Sequence, residues 1–391
     1  MKILISGGGI AGSAAALFLA RRGHDVHVID RAPSFQKRGY AITLKSFGLT
    51  LMRELGLAEE LSEHSLHLDA LRVYDDHARL LQVFSRELTD STTHGLVLVY
   101  RSALHAVLYE ATRRAGIPTR FGLHVEAVEQ DDRRAHVKLS DGSVEDVDLF
   151  VVAEGVRSTT RALLWKEAGV RPFDVVYAAG TVRVDHGLDP RAAHGYIGEG
   201  QNVAFMPVGE RDLLIQCYWR TSSNAAQSGS TPRARMLDAF RSFAPDVRRL
   251  LEAIPMDGDV FCDSIRMVDL SSLHQGRTVL LGDAGYCPTF LSGMGASLGL
   301  LGAKVLSVAL PPDGTHGARV DEGLLQYCAT MRPLIEHFQR NARENVDNAL
   351  PTSHLKNVVR SWVLHLLPPS LVARHFRHQF DVEAKLLQGV A

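Results

Sequence analysis

The sequence predicts an α/β protein in which a Rossmann-like domain, built from separate stretches of the chain, carries an inserted β-rich domain and a C-terminal helix. Three observations support this prediction. The first thirty residues follow a strand–helix–strand pattern, residues 277–310 return to a strand followed by a helix, and much of 173–220 instead shows β-strand patterns. The chain has 391 residues, of which 46% are hydrophobic, so it can bury more than one core.

The domain boundaries are predicted from the places where these patterns change. The Rossmann-like domain is expected to comprise residues 1–71, 96–174 and 262–340. The inserted β-rich domain is expected to comprise residues 72–95 and 175–261, and a C-terminal helical segment is expected to occupy 341–391.

Hydrophobic periodicity predicts the elements in order. Residues 2–6 form an apolar strand, 12–22 form an alanine-rich helix that Gly23 ends, and 25–30 form an alternating strand. The other segments of the first half are helices at 49–63 and 101–115 and strands at 124–130, 135–139 and 147–153. The segments of the second half are strands at 175–184, 195–207, 213–219 and 277–282 and helices at 236–251, 295–310 and 322–350.

Composition and charge argue against several classes of function. The net charge of −1 gives no electrostatic basis for binding nucleic acid or an anionic membrane. No apolar stretch reaches the length of about 18 residues that a membrane span needs, and glycines end the N-terminal apolar run too early for a secretion signal. No HExxH or CxxC motif supports a metal site. The four cysteines are far apart, so we expect free thiols and a cytoplasmic location.

The first strand leads into the sequence Gly7-x-Gly9-x-x-Gly12, where the first helix begins. In this dinucleotide fingerprint the first glycine permits a tight turn, the second lets the backbone approach a pyrophosphate, and the third lets helix and strand pack closely. The positive end of the helix then faces the phosphates. Asp30 ends the second strand, where a carboxylate can bind the ribose. The sequence therefore predicts a dinucleotide site.

Two later segments narrow the choice of cofactor. The first, residues 148–161, has Glu154-Gly155 after an apolar strand, and the second, residues 276–295, has Gly282-Asp283 after a short buried strand. Together with the N-terminal fingerprint, and in this order, they resemble the single-component (class A) flavoprotein aromatic hydroxylases of the p-hydroxybenzoate hydroxylase type. Members of this family include tetracycline-modifying and polyketide-tailoring monooxygenases. The resemblance covers about half of the chain.

The resemblance implies an FAD-binding domain of the glutathione-reductase-2 type, with FAD bound noncovalently. A carboxylate at Asp283, at the end of its strand, is placed for the ribityl hydroxyls of FAD. The helix that begins at Gly295 would stabilise negative charge on the reduced flavin. In the family an arginine at the position of Arg101 reaches the cofactor. The residues expected to bind the cofactor are Gly7, Gly9, Ile10, Ala11, Gly12, Asp30, Arg31, Gly39, Arg101, Glu154, Gly155, Gly282, Asp283, Pro288, Gly293, Gly295 and Ala296.

The chain departs from the family's pattern at four positions. Glu154 stands in place of an aspartate, and Tyr286 in place of a histidine that often follows the Gly-Asp pair. Ser297 and Gly302 stand where the family often has an asparagine and an aspartate. These changes bear on nicotinamide handling and hydroxylation more than on FAD binding.

The resemblance also implies a reaction. NADPH or NADH reduces FAD transiently, O2 adds at the flavin C4a, and the hydroperoxide hydroxylates a small, largely apolar aromatic or polyketide-like substrate. The flavin carries the chemistry, so few catalytic side chains are expected, with the Pro288 to Gly293 loop near the flavin. The candidate substrate-binding residues, on strands of the β-rich domain, are Arg183, Met206, Gln216 and Tyr218. Either a monomer or a homodimer is expected.

Two alternatives remain open on the sequence. The same cofactor domain serves FAD-dependent dehydrogenases, reductases and halogenases, although the isolated positions of Trp165, Trp219 and Trp362 disfavour a halogenase. The other alternative is a flavin-binding protein without turnover. Consumption of NAD(P)H that depends on substrate separates this protein from the enzymes, and oxygen from O2 in the product separates a monooxygenase from a dehydrogenase.

Overall fold

The computed structural model describes residues 1–35, 40–93, 97–166, 169–221, 231–254, 261–289, 292–312, 318–374, 377 and 381–382. The elements of the first 164 residues are β1 (Lys2–Ser6), α1 (Ile10–Arg21), β2 (Asp25–Asp30), β3 (Ala41–Leu44), α2 (Ser46–Glu54), α3 (Ala58–Ser62), β4 (Ser65–Leu66), β5 (Ala70–Asp75), β6 (Leu80–Ser85), α4 (Arg86–Thr93), β7 (Val97–Tyr100), α5 (Arg101–Arg114), β8 (Thr119–Phe121), β9 (Val125–Gln130), β10 (Ala135–Leu139), β11 (Val144–Val147), β12 (Leu149–Val152) and α6 (Thr159–Leu164). The later elements are β13 (Val170–Arg183), β14 (Ala192–Gly198), β15 (Gln201–Pro207), β16 (Asp212–Arg220), α7 (Pro232–Ala239), α8 (Pro245–Glu252), β17 (Phe261–Val268), β18 (His274–Gln275), β19 (Thr278–Leu280), α9 (Asp283–Tyr286), α10 (Gly295–Ala309), α11 (Ala318–Ala349) and α12 (His354–Leu366).

A six-stranded sheet with the order β18-β19-β12-β1-β2-β8 forms the Rossmann-like part, and all of its pairings are parallel except β18 with β19. Its central strands are apolar and buried because helices and a small β-layer cover its two faces. Ile5 pairs with Val151 on one side and with Val28 on the other. The carboxyl ends of β1, β2, β12 and β19 therefore meet at one edge, where ligands bind in such sheets.

Seven strands form a second, largely antiparallel sheet with the order β17-β13-β16-β15-β14-β5-β6. Strands β5 and β6 come from the first quarter of the chain and join it through a parallel pairing of β5 with β14. The mixed α/β fold with an added β-rich layer is thus confirmed. The predicted boundary at residue 262 falls inside β17, which pairs with β13 in this sheet. The exact division into domains stays a prediction.

Three predicted segments are each divided in two. The helix expected at 49–63 breaks around Gly56, and the helix expected at 236–251 becomes α7 and α8 because Pro245 cannot donate a backbone hydrogen bond and begins a new helix. The strand expected at 195–207 is a hairpin of β14 and β15, with Gly200 at φ +72° in its turn. In each case a Gly or Pro lies at the break within a continuous hydrophobic pattern, although α7 already ends at Ala239, before Pro245.

Among the described residues, no helix combines the length and apolarity needed to cross a bilayer. The last long helices instead lie on the protein: α11 packs against α10 through Leu324, Tyr327 and Met331, which are buried in the main core. Helix α12 lies against β6, where the Gln82 side chain donates hydrogen bonds to backbone carbonyls of Leu364 and Leu367 at 2.9 and 2.8 Å. The C-terminal helix is therefore docked on the second sheet.

His24 lies at the turn between α1 and β2, and its buried ring is expected to make the free energy of unfolding depend on pH. Its side chain is 6% exposed and neither ring nitrogen has a hydrogen-bond partner among the described residues. Burial, helped by the positive N-terminus and Arg22, lowers the pKa of His24 to about 4. Because the unfolded chain takes up this proton near pH 6.5, His24 alone is expected to lower the free energy of unfolding by about 2–3 kcal/mol between pH 6.5 and 4.

The measurement is urea unfolding of the wild type and of His24→Leu across this pH range. Above pH 6.5 the ring is neutral in both states, so the two slopes should agree there. Below it the variant should lose the part of the slope that one proton contributes. His354→Leu, which changes an exposed side chain, serves as the control. Equal slopes for the wild type and His24→Leu would contradict the prediction.

Candidate active site

A cavity of about 670 Å³ lies between the carboxyl edge of the parallel sheet and the seven-stranded sheet. This volume falls within the range of about 300–1,000 Å³ that is typical of ligand sites. The predicted cofactor residues that line it are Gly7, Gly9, Ile10, Ala11, Asp30, Arg31, Arg101, Glu154, Gly155, Gly282, Asp283, Gly293, Gly295 and Ala296. Three motifs that are far apart in the sequence are therefore brought to one cavity.

The loop between β1 and α1 is shaped by its glycines. Gly7 has φ +106°, and a Cβ there would lie 2.4 Å from the carbonyl oxygen of Ala153. A Cβ on Gly12 would lie 1.9 Å from the carbonyl oxygen of Gly7, so Gly12 supports the loop from behind and does not itself line the cavity. A Cβ on Gly9 would meet no described atom within 4 Å. Packing within the protein thus explains two of the glycines, and Gly9 borders open cavity.

Three side chains hold Gly8, at the centre of this loop. Its N–H donates to Asp30 Oδ2 at 2.8 Å, and its carbonyl accepts from Ser13 Oγ at 3.0 Å. The same carbonyl lies 2.7 Å from His105 Nε2, which must carry the proton because a carbonyl only accepts. Burial lowers the pKa of His105, so its ring is neutral at pH 7. The loop is thus fixed in one conformation, with α1 beginning at Ile10 without a described side-chain cap.

The carboxylate of Glu154 accepts hydrogen bonds from neighbouring side chains and from the backbone. Its carboxylate accepts from Ser6 Oγ at 2.6 Å, from Ser158 Oγ at 2.7 Å, and from the hydroxyl and backbone N–H of Thr160 at 2.5 and 3.1 Å. These four hydrogen bonds tie the ends of β1 and β12 to the start of α6. The longer side chain that stands here in place of the family's aspartate thus has a structural role.

Shortening this side chain is expected to cost stability even though it restores the family's residue. In Glu154→Asp the carboxylate retreats by one methylene and cannot reach both Ser6 and Thr160, so the free energy of unfolding should fall by about 2 kcal/mol. Urea unfolding of the wild type and the variant measures this. Glu129→Asp, at an exposed position of β9, is the matched control for the same one-methylene change. An unchanged unfolding midpoint in Glu154→Asp would contradict the structural role.

Asp283 follows β19 and also lines the cavity. Gly282, at φ +63°, turns the chain so that the carboxylate lines the cavity beside Gly295, the first residue of α10. Burial raises the pKa of Asp283, while Arg101 at the start of α5 opposes that shift by its positive charge. Arg161 is buried behind this wall and donates to the carbonyls of Ala284 and Val156 at 2.9 and 2.8 Å. It joins the Glu154-Gly155 segment to α9.

Two of the departures from the family's pattern belong together. The Tyr286 side chain is buried against α10, and a Cβ on Gly302 would lie 1.9 Å from its hydroxyl. Tyr286 therefore requires a glycine at 302. A third departure, Ser297, is also buried, and its Oγ accepts from the backbone N–H of Lys45 at 3.2 Å. These positions pack the α9–α10 region and do not line the cavity.

An aromatic wall, formed by Tyr40, Tyr177, Tyr218 and Phe261, lines the cavity on the side of the seven-stranded sheet. The Tyr40 ring meets Tyr177 edge-on at 5.2 Å between centroids and Phe261 at 5.0 Å, and Tyr177 lies 4.9 Å from Tyr218. Burial raises the pKa of Tyr40 to about 12, so its hydroxyl stays protonated at neutral pH. This wall offers flat apolar surface with a few hydroxyl groups.

Charged groups lie beside this wall. Asp263 accepts from Arg157 at 2.5 Å and from Arg266 at 3.0 Å, and both Asp263 and Arg266 line the cavity. Arg157 follows the Glu154-Gly155 segment at the end of the parallel sheet, and Asp263 lies on β17 of the seven-stranded sheet. The ion pair between Arg157 and Asp263 therefore links the two sheets. Solvent screens the exposed Arg157 side chain, so this ion pair contributes little to stability. We assign it the role of positioning Asp263 beside the wall.

Two of the predicted substrate residues line the cavity and two do not. Gln216 and Tyr218 line it, and Gln216 also donates to the carbonyl of Ala41 at 2.6 Å. Met206 packs instead with Ala41 and Leu214 in a separate small core, because alternate residues of β15 face opposite sides of the sheet. Arg183 ends β13 and is exposed.

Two other predicted cofactor residues are not placed in the cavity wall. Pro288 is buried and does not line the cavity, and Gly39 lies outside the described residues. Sequence reasoning missed His105, Tyr40, Tyr177 and Phe261. The sequence shows that Tyr177 and Phe261 are aromatic residues in strand-like segments. Only the pairing of β13 with β17 shows that they share one wall. Among the described residues, no group of three or more His, Cys, Asp or Glu side chains is arranged to hold a metal ion.

The cavity fits a dinucleotide cofactor. The glycine loop fixes a concave backbone at the uncapped N-terminus of α1, which suits a pyrophosphate. Carboxylates at Asp30 and Asp283 stand at the ends of two parallel strands, where hydroxyl groups of a ribose and a ribityl chain can be bound.

Comparison with known proteins agrees with this geometry. Residues 1–342 match the model of the family described as FAD binding domain. The chain is 32% identical over 375 residues to the FAD-dependent monooxygenase asL6 of Sarocladium schorii, covering 87% of this chain and 86% of the relative. It resembles Klebsiella pneumoniae HpxO, solved with FAD and uric acid, at TM-score 0.84 and 24% identity over 97% and 96% of the two chains. It resembles the tetracycline destructase Tet(55) at TM-score 0.79 and 22% identity over 96% and 97%.

The structural likenesses show the shared fold, and the family match with the fungal relative shows the class of enzyme. The expected FAD cofactor and the monooxygenase class are confirmed, and the dehydrogenase and non-turnover alternatives are disfavoured. The chain belongs to the FAD-binding-domain family and is a flavin-dependent monooxygenase.

Proposed function

We propose that this monooxygenase oxidises a small, largely apolar aromatic or polyketide-like substrate held against the aromatic wall. The observation that carries the proposal is that this wall and the glycine loop line one continuous cavity. Flat rings stack favourably on aromatic side chains, which suits a planar substrate. Uric acid, present in the HpxO structure, is a planar heterocycle, and Tet(55) is named for its action on tetracycline.

We assign the cofactor-binding roles to the glycine loop and to the two carboxylates at the carboxyl edge of the parallel sheet. The backbone of the glycine loop binds the pyrophosphate, Asp30 binds the adenosine ribose, and Asp283 binds the ribityl chain. Bound FAD supplies the redox chemistry, taking electrons from NADPH or NADH and activating O2. The uncapped N-terminus of α10 would stabilise negative charge on a flavin bound in this cavity.

The second sheet positions the substrate and excludes water. Tyr40 and Tyr218 have pKa values raised by burial, so at neutral pH their hydroxyl groups remain donors that can orient a substrate oxygen. Gln216 fixes the sheet to β3 through the Ala41 carbonyl. The aromatic side chains of this wall would limit the access of water to the oxidant that bound FAD supplies.

A substitution in the aromatic wall tests the substrate class. Phe261→Ala removes one ring of the wall, and kcat/KM for an aromatic substrate found by screening should fall about two- to tenfold, since such ring contacts contribute about 0.5–1.5 kcal/mol. FAD content should not change. Phe84→Ala, on β6 outside the cavity wall, is the control. A panel in which only acyclic aliphatic compounds stimulate NAD(P)H oxidation would contradict the proposal.

Three further features belong to this proposal. We assign 1–71, 96–174 and 262–340 to the FAD-binding domain and 72–95 and 175–261 to the substrate domain. Strand β17 crosses the boundary at 262, so the first part of the third stretch pairs into the sheet of the substrate domain. The described cysteines, Cys217, Cys262, Cys287 and Cys328, are all free thiols, which supports a cytoplasmic location.

The enzyme works as a monomer or homodimer. Size-exclusion chromatography with light scattering distinguishes these two states.

A further inference from the structure

Helix α12 turns its apolar side away from the protein. Nearly half of the large hydrophobic side chains that are exposed among the described residues belong to the short stretch 355–371. Within α12 they recur every three or four residues, so they lie along one face of the helix and form an apolar stripe. The stripe consists of Leu355, Val359, Trp362, Val363 and Leu366, which are 71, 53, 64, 44 and 65% exposed.

The polar side of the same helix faces the protein. Arg360 donates to the carbonyl of Gly198 at 2.9 Å and to Asn357 Oδ1 at 2.7 Å, and Asn357 is buried. Together with the Gln82 side chain of β6, these contacts fix the rotation of α12 about its axis. A surface helix normally buries its apolar side, and the reverse arrangement indicates a surface that binds a partner.

The charge of this part of the chain is positive. Residues 348–380 contain four Lys or Arg and no Asp or Glu, so the net charge of −1 for the whole chain averages over an uneven distribution. Lys356 is exposed and lies one helical turn before Val359, beside the stripe. Of the acidic groups near α12, Glu199 pairs with His354 and Asp76 acts on Arg360, neither of which belongs to the stripe.

These properties favour a lipid surface over a second copy of the chain. In a symmetric dimer built on this helix, each stripe would meet the other and the positive groups of both copies would be brought together. Anionic head groups complement that charge, and acyl chains complement the stripe. Trp362, in the middle of the stripe, is a residue type enriched at membrane–water interfaces. The 13 residues of α12 are too few to cross a bilayer, which takes about 20, so the helix would lie in the plane of the surface.

We propose that the apolar stripe of α12 docks the enzyme on the surface of a bilayer that contains anionic lipids. The helix lies against β6 of the seven-stranded sheet, and other strands of that sheet carry Tyr177, Tyr218 and Phe261 of the aromatic wall. Docking therefore brings the proposed substrate-binding sheet close to a phase in which apolar compounds accumulate. The docking itself does not depend on the proposed substrate class.

Sedimentation of the FAD-loaded enzyme with vesicles tests the proposal. Vesicles of phosphatidylcholine mixed with phosphatidylglycerol should carry the enzyme down, and vesicles of phosphatidylcholine alone should carry down much less. Leu366→Gln should lower the lipid partition coefficient about tenfold, because it removes one apolar side chain of the stripe. Leu325→Gln, at a leucine of α11 that is 60% exposed, is the matched control and should bind as the wild type does. Lys356→Gln should weaken binding about fivefold, and only to the mixed vesicles.

Trp362 supplies a second readout, because Trp165 and Trp219 are buried. The tryptophan emission of the enzyme should shift to shorter wavelength when the mixed vesicles are added. Trp362→Phe should lose this shift and still sediment with the same vesicles.

Four results would overturn the proposal. One is that neither kind of vesicle binds the enzyme, and another is equal binding to both kinds, which would remove the role of anionic lipid. The third is a dimer without lipid that Leu366→Gln converts into a monomer, which would assign the stripe to a second copy. The fourth is a much larger loss of unfolding free energy in Leu366→Gln than in Leu325→Gln, which would show that this chain itself covers the stripe. Substrate-dependent NAD(P)H oxidation is measured without lipid, so failure of the proposed function is recognised separately.

Discussion

Gly9→Ala is expected to leave the protein folded and to weaken FAD binding at least tenfold, whereas Gly12→Ala is expected to destabilise the fold itself. A methyl group on Gly9 would meet no described protein atom and would project into the space next to the backbone that we assign to the pyrophosphate. A tenfold loss corresponds to about 1.4 kcal/mol of binding free energy. On Gly12 the same methyl group would lie 1.9 Å from the Gly7 carbonyl, which cannot move without disturbing β1.

The two variants form a matched pair because each adds one methyl group to the same loop. Gly12→Ala should lower the free energy of unfolding by about 3 kcal/mol, by the cost of overpacking, with FAD binding lost as a consequence. Urea unfolding of the apoproteins and FAD titration by fluorescence separate the two effects. If Gly9→Ala bound FAD with wild-type affinity, the assignment of the pyrophosphate to this loop would be wrong.

Gly302→Ala is expected to destabilise the protein by about 3 kcal/mol, and Tyr286→Phe is expected to restore most of that loss. The added Cβ would lie 1.9 Å from the Tyr286 hydroxyl but 3.1 Å from the ring carbon that bears it. Tyr286 is 1% exposed and its hydroxyl lies 3.4 Å from that of Tyr327, so the ring has no room to retreat. Removing the hydroxyl leaves a tight contact that small shifts can relieve.

A double-mutant cycle measures this coupling. Tyr286→Phe alone should cost about 1 kcal/mol for its hydrogen bond, and the double variant should be more stable than Gly302→Ala. The expected coupling energy is about 3 kcal/mol in the favourable direction, which leaves the double variant about 1 kcal/mol less stable than the wild type. Additive effects would show that Tyr286 and Gly302 are independent departures from the family's pattern, and the packing explanation would then fail.

The sequence predicted the parts of the site whose requirements are local. The fingerprint from Gly7 to Gly12 constrains a single turn and the helix that follows, so its conformation can be read from neighbouring residues. The same holds for Gly282-Asp283, which follows a short buried strand. Because parallel strands share one carboxyl edge, it could also be expected that these segments meet. The structure brings them to one cavity.

The parts that could not be predicted depend on contacts between distant segments. His105 holds the carbonyl of Gly8, which lies 97 positions earlier in the chain, and nothing in either segment signals that pairing. Tyr177 and Phe261 share a wall only because β13 pairs with β17. The placement of Met206 outside the cavity follows from which face of β15 it occupies, which one sequence does not determine when both faces are buried.

Whether the protein is a monooxygenase is tested by the source of the oxygen in its product. Purified enzyme loaded with FAD is given NADPH or NADH, an aromatic substrate that stimulates nicotinamide oxidation, and 18O2, and the product is analysed by mass spectrometry. A flavin-dependent monooxygenase is expected to place one atom of 18O in the product, and none from labelled water. A product that is oxidised but carries no 18O from O2 would identify a dehydrogenase, and the assignment as a monooxygenase would be wrong.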